Sequence, residues 1–140
     1  KPTRLVHGDF SLTNVIVNTE NNKIASILDW ELSTLGDPVA DFSYHCLQYF
    51  INPILSDPRK CKGLNIPNLN EYVEMYIENS EFEISDSEWN TYMAFSMFKL
   101  AAILQGITGR VRDGTAAGKD ADKLFPQTLM LADLGWTFVK

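Results

Sequence analysis

Apolar residues follow two different rhythms along this chain. Up to residue 28 they come in short runs: RLVH (4–7), NVIVN (14–18) and KIASIL (23–28). Short β-branched and aliphatic clusters bounded by turn residues are strand material. TENN separates the second run from the third, so a β-hairpin is expected there. Beyond residue 36 the apolar positions take up helical spacing. Gly36-Asp37-Pro38 opens a first helix, with Asp37 suited to the N-cap and Pro38 to the first helical position. That helix is expected to run to about Phe50. Residues 51–67 hold Pro53, Pro58, Gly63 and Pro67 and read as an irregular loop. Asn68 with Glu71, and Ser85 with Glu88, have the spacing of a capping box and start a second and a third helix. In the third helix Trp89, Tyr92, Met93, Met97, Leu100, Ile103, Leu104 and Ile107 form a stripe that reads as core rather than as a cofactor site. RDGTAAGK (112–119) is a small-residue loop. A last helix is expected over residues 121–139, with Pro126 in or near its first turns.

Strands first and then about four helices give an α+β fold class, mainly helical, with a short hairpin carrying the loop discussed below. Three short strands cannot cover four helices, so the helices are expected to pack mainly on one another. The whole of 1–140 reads as a single domain.

Composition narrows the partners. The chain has 140 residues, of which 45% are hydrophobic and 21% charged, as in ordinary globular material. Its net charge of −6 argues against nucleic acid or an anionic membrane as the main partner, because phosphate binding wants a basic face. A nucleotide bound through a metal ion remains compatible with it. No apolar run is long enough for a membrane span. Cys46 and Cys61 lack CxxC spacing and read as free thiols, which points to a reducing, intracellular compartment, the organelle open. His45 and Cys46, in mid-helix with no partner at metal spacing, read as packing residues.

The candidate chemistry lies in VHGDFSLTN (6–14). With the hairpin turn centred near Asn21, Asn14 falls opposite Leu28 or Asp29, and the loop carrying Asp9 enters at that same end. An amide and a carboxylate are hard oxygen ligands of the kind that suit Mg²⁺. D-x-x-x-x-N followed by a strand-terminal Asp is the spacing of a phosphoryl-transfer loop. One aspartate there accepts the substrate hydroxyl proton, while the Asn and the second Asp hold metal on the nucleotide phosphates. Each residue taken singly is ordinary turn material; the conjunction of Asp9, Asn14 and Asp29 is the signal.

LVHGDFSLTNVIV, followed by ILDWELSTLGDPVADFSY, closely resembles the aminoglycoside phosphotransferase and choline kinase family, small-molecule kinases of protein-kinase-like fold. LDWELSTLGDP and the later FKLAAILQGITGR resemble one subgroup: the phosphotransferase domain fused to acyl-CoA dehydrogenases in some eukaryotes, and its free-standing bacterial relatives. The resemblance implies the C-terminal lobe of such a kinase. Asp9 would be the catalytic base, and Asn14 and Asp29 the Mg²⁺ ligands. His7 would brace the loop, Asp41 would hydrogen-bond it from the first helix, and Asp37 would cap that helix. The implied co-substrate is ATP, and the implied acceptor is a small-molecule hydroxyl, with a hydroxyacyl-CoA favoured over an aminoglycoside. Trp30-Glu31 stands where protein kinases have Phe-Gly, which implies that no mobile activation segment follows. The family's phosphate-covering hairpin, its lysine and its adenine hinge find no match here. The nucleotide-binding lobe is therefore expected as a further partner, and the segment alone is expected to be inactive and to bind ATP poorly. A fused acyl-CoA dehydrogenase is a further candidate partner.

Glu31 and Arg110 are candidate substrate contacts. Arg110 and Arg112 equally suit a helix C-terminus, where cations favour the dipole. Glu71, Glu74, Glu78, Glu81 and Glu83 read as a solvated face. Two rivals stand beside the kinase: a non-catalytic, pseudokinase-like scaffold or ligand sensor, and a kinase of the aminoglycoside or choline type. A metal-dependent phosphohydrolase lacks the histidine and aspartate clusters of a two-metal site.

Overall fold

The computed structural model describes residues 2–81, 83–115 and 121–139. They fall into two compact units, Lys1–Glu83 and Ile84–Lys140.

The first unit holds two small antiparallel ladders. The expected hairpin forms from β2 (Val15–Asn18) and β3 (Lys23–Ile27). Val15 pairs with Ile27 and Ile16 with Ser26, but Val17 pairs with Ile24, so Ala25 is left over as a bulge. The other ladder joins β1 (Arg4–Val6) to a strand the sequence pattern did not reveal, β4 (Thr34–Gly36). Three residues are too few to show an alternation, and β4 is defined by its partner: Arg4 faces Gly36 and Val6 faces Thr34. β1 and β4 thus tie together the two ends of the segment that contains the loop and the hairpin.

α1 (Pro38–Cys46) begins as expected, with the Asp37 carboxylate accepting from the Val39 N–H at 2.9 Å. It ends earlier than the expected Phe50. At Leu47 the turn tightens, the Leu47 N–H bonding back three residues to the Tyr44 carbonyl, and a separate turn, α2 (Gln48–Ile51), follows. The tightening goes with a Leu47 side chain that is almost fully buried. The stretch read as irregular contains α3 (Pro58–Gly63). Asp57 caps it through the Arg59 N–H at 3.0 Å and Pro58 occupies its first turn, repeating the Asp37-Pro38 device. α4 (Leu69–Glu78) starts at the full capping box of Asn68 and Glu71. The core of this unit contains Val6, Val39, Phe42, Cys46, Leu47 and Cys61. Both cysteines are free and buried. Burial drives the Cys46 thiol far up, so it is an inert packing group. The expected solvated acidic face is exposed: Glu71, Glu74, Glu78, Glu81 and Glu83 all reach solvent, Glu81 pairing with Arg4 at 3.1 Å.

The second unit is a helical pair. α5 (Asp86–Arg112) starts at the Ser85–Glu88 capping box and packs along α6 (Ala121–Thr137), which contains Pro126. Met93, Met97, Ala101 and Leu131 are buried, while Ile103, counted in the expected stripe, is exposed. Gly135 lets the helices approach, since a Cβ there would lie 3.3 Å from that of Met97. Residues 116–119 of the expected small-residue loop lie outside the described residues. Among the described residues no helix is long and apolar enough to cross a membrane.

Candidate active site

β1 delivers the chain into the loop at His7. Gly8 turns it with φ +83°, and a Cβ at Gly8 would sit 2.5 Å from the Leu32 carbonyl oxygen. Only glycine meets both demands. The backbone on either side of that turn is pinned from α1. The Asp41 carboxylate accepts the His7 N–H at 2.8 Å with one oxygen and the Gly8 N–H at 2.9 Å with the other. His7 itself is buried. Its Nε2 bonds the Leu28 carbonyl at 2.8 Å, and its Nδ1 accepts the Asp9 N–H at 3.3 Å. The ring therefore donates toward the hairpin and accepts from the loop. Trp30 packs against it at a ring distance of 4.8 Å and donates its indole N–H to the Ile27 carbonyl at 2.8 Å. His7 and Asp41 thus hydrogen-bond the loop and the strand beside it, and Asp37 caps α1.

The loop continues through a 3-10 turn (Leu12–Asn14) into β2. The Leu28 N–H donates to the Asn14 carbonyl at 2.8 Å, so the hairpin register sets Asn14 opposite Leu28, one residue before Asp29. The side-chain amide nitrogen of Asn14 donates to the Asp9 carbonyl at 3.0 Å. Asp9, Asn14 and the end of β3 are therefore tied to one end of the hairpin. Asp29 stands there in the left-handed region, with φ 66°, a backbone state that costs a non-glycine residue and that gathers at functional sites.

Three oxygen groups are left without hydrogen-bond partners among the described residues: the carboxylates of Asp9 and Asp29 and the Asn14 Oδ1. The Asn14 amide nitrogen is already committed, so its oxygen is the atom available to a ligand. Such a set suits a hard cation that also takes oxygens from phosphates and water. Among the described residues no cluster of three His, Cys, Asp or Glu gathers as a self-sufficient metal cage. Glu31 lies in the 3-10 turn Trp30–Leu32, exposed. Arg110 lies in the last turn of α5, in the second unit.

Sequence reasoning missed three residues around the loop. His45, read as packing, bonds the Phe10 carbonyl through Nδ1 at 3.1 Å and the Tyr72 hydroxyl through Nε2 at 3.2 Å. It thereby links the loop to α4. Burial lowers the His45 pKa, outweighing the Phe10 carbonyl and the charge of Asp41, which both raise it. Tyr72 is raised by burial. Tyr44 is raised by burial and then by the charge of Asp9, so its phenol lies within electrostatic reach of that carboxylate. A signal for His45 was present: it stands four residues after Asp41, on the same face of α1.

Beside Asp9 opens a cavity of about 560 Å³, walled by the loop, by α1 and α2, and by the segments on either side of α3 and in α4. Its volume is in the range that takes small molecules.

Comparison with known proteins gives this geometry a family. The model of a phosphotransferase enzyme family matches residues 1–63. Acyl-CoA dehydrogenase family member 10 of Mus musculus is 45% identical over 141 aligned residues, covering 97% of this chain and 13% of that protein. Acyl-CoA dehydrogenase family member 11 of Homo sapiens is 32% identical over 120 residues, covering 84% of this chain and 15% of that protein. A crystal structure from Ralstonia eutropha, of a protein described as a candidate aminoglycoside phosphotransferase, superposes with a TM-score of 0.84 at 38% identity. It covers 97% of this chain and 42% of the bacterial one. The chain thus spans under a sixth of the curated relatives and under half of the solved structure. Its sequence and its fold agree: the chain belongs to the phosphotransferase enzyme family, with the kinase-like fold of the aminoglycoside phosphotransferases and relatives among the acyl-CoA dehydrogenase family members.

Proposed function

We propose that this chain is the catalytic lobe of an ATP- and Mg²⁺-dependent kinase that phosphorylates a hydroxyl of a small, hydroxyacyl-type molecule. The observation that carries the reading is the contrast within the loop. Its backbone is pinned by Asp41 and His7, while the side-chain oxygens of Asp9, Asn14 and Asp29 have no hydrogen-bond partner among the described residues.

The residues divide the work. The Asp9 carboxylate receives the proton of the acceptor hydroxyl as that oxygen bonds to the terminal phosphorus of ATP and the bond to the departing ADP oxygen breaks. Asn14, through Oδ1, and Asp29 would hold Mg²⁺. The ion, when bound, offsets negative charge on the phosphates. Asn14 also steadies Asp9, since its amide nitrogen grips the Asp9 carbonyl. His7 and Asp41 keep the loop in place so that the attacking oxygen is presented in line. Adenine and the outer phosphates would be held by a second, nucleotide-binding lobe, and an acyl-CoA dehydrogenase domain would share the parent chain, in a reducing compartment.

The test is phosphoryl transfer by a protein carrying both lobes. Asp9→Asn should cut transfer to every acceptor by roughly two to four orders of magnitude while leaving Mg-ATP affinity within about twofold. Retained turnover would remove Asp9 from the base role. A pseudokinase-like scaffold, the rival, predicts no turnover in the unmutated protein either.

A further inference from the structure

We propose that His45 is a positioning residue for Asp9: its Nδ1–H, bonded to the Phe10 carbonyl, holds the loop on the far side of the base, as Asp41 holds it on the near side. The proposal rests on the kinase reading above and deepens it at the same site.

The placement follows from spacing along α1. Asp41 and His45 stand four residues apart, so they share one face of the helix. Asp41 accepts the N–H groups of His7 and Gly8, ahead of Asp9. His45 bonds the Phe10 carbonyl, behind it, at 3.1 Å. Between those two grips, the His7 ring accepts the Asp9 N–H at 3.3 Å and the Asn14 amide donates to the Asp9 carbonyl at 3.0 Å. Each peptide unit from Val6–His7 to Phe10–Ser11 is therefore held by a side chain, and the last of them by His45. The Phe10 ring adds to the grip. It stands edge-on between the two imidazoles, 6.0 Å from His7 and 5.1 Å from His45.

The chemistry of the ring gives the bond a direction. A carbonyl only accepts, so Nδ1 of His45 carries the hydrogen. Burial disfavours the charged ring, so Nε2 keeps its lone pair and accepts the Tyr72 hydroxyl at 3.2 Å. Tyr72, on α4, thereby favours the tautomer that grips Phe10. His7 has the opposite tautomer, since its Nε2 meets the Leu28 carbonyl and its Nδ1 the Asp9 N–H. The chain's two histidines thus hold the backbone around Asp9 from opposite sides of the proton: one accepts an N–H, the other donates to a carbonyl.

Two conservative variants of a protein carrying both lobes separate the two bonds of His45. His45→Asn sets an amide nitrogen in the place of Nδ1, keeping the bond to Phe10 and losing the one to Tyr72. His45→Gln sets its amide in the place of Nε2 and does the reverse. His45→Asn should keep kcat within about twofold, whereas His45→Gln should lower it at least about fivefold, the loss of one hydrogen bond. KM for Mg-ATP should stay within about twofold in both. Each variant gives up one bond, so their urea midpoints should fall alike. Nitrogen-15 spectra of the histidine rings near neutral pH give a readout without catalysis. The signals missing from both variants belong to His45 and should show the hydrogen on Nδ1; those of His7 should show it on Nε2. Equal loss of kcat in the two variants, kcat that follows the urea midpoint, or a His45 hydrogen on Nε2 would each overturn the proposal. Absence of turnover in the unmutated protein would instead overturn the kinase reading, and with it the base to be positioned.

Discussion

Two groups of polar atoms sit within a few residues of each other and are treated in opposite ways. In the first, the N–H groups of His7 and Gly8, both oxygens of Asp41 and both nitrogens of the His7 ring all have partners. In the second, the carboxylates of Asp9 and Asp29 and the Asn14 Oδ1 have none among the described residues. A buried donor left unpaired costs free energy, so the first group is bonded because it must be. Groups left unpaired on a backbone this well fixed are available for something outside the chain. The contrast teaches that the loop is fixed through its backbone and open at its carboxylates and the Asn14 oxygen.

Mutations that touch only one group test the division. The largest effect belongs to Asp9→Asn: turnover falls by roughly two to four orders of magnitude, while stability, read from a urea unfolding midpoint, moves by less than about 0.5 kcal/mol. If stability fell with activity, Asp9 would belong to the braced group. Asp41→Ala should do the converse. It strands two backbone donors, so unfolding stability should drop by about 2–4 kcal/mol, and turnover should fall with it. Gly8→Ala comes next. It forces a Cβ onto the Leu32 carbonyl at a positive φ and should cost about 2 kcal/mol in the same denaturation measurement.

The smallest effect is on pH dependence. His45 is held below its ordinary 6.5, mainly by burial, so below that pH the unfolded chain binds a proton that the folded chain resists. Its contribution to stability is complete above about 6.5 and is lost as pH falls through the depressed native value. Urea midpoints between pH 7 and pH 5 should fall, and His45→Gln should flatten that slope.

Much of this was legible beforehand, for local reasons. The hairpin announces itself through TENN between two β-branched runs. Asp37-Pro38 and the two capping boxes set helix starts through contacts within three residues. The site trio could be assembled because hairpin register converts sequence spacing into spatial proximity. What stayed hidden depends on distant partners. β4 is a strand only because β1 lies beside it. α1 ends at Leu47 with no glycine or proline to mark the break. His45 links the loop to α4 through Tyr72, twenty-seven residues away. α3 is the exception. Asp57-Pro58 carried the signature already accepted at Asp37-Pro38, and the surrounding prolines drew attention from it.

The ladder between β1 and β4 has an engineering consequence. It fastens the entrance and the exit of one continuous stretch of chain, so everything between Val6 and Thr34 is a closed excursion from a fixed base. The His7–Leu28 and Asn14–Asp9 bonds lie away from the far tip, residues 19–22, which is exposed and takes no part in them. The tip is therefore the place to lengthen the chain, to seat a fluorescent label or to splice in an affinity tag. A reporter there would ride on the first unit without touching the end of the hairpin where Asp9 and Asn14 meet.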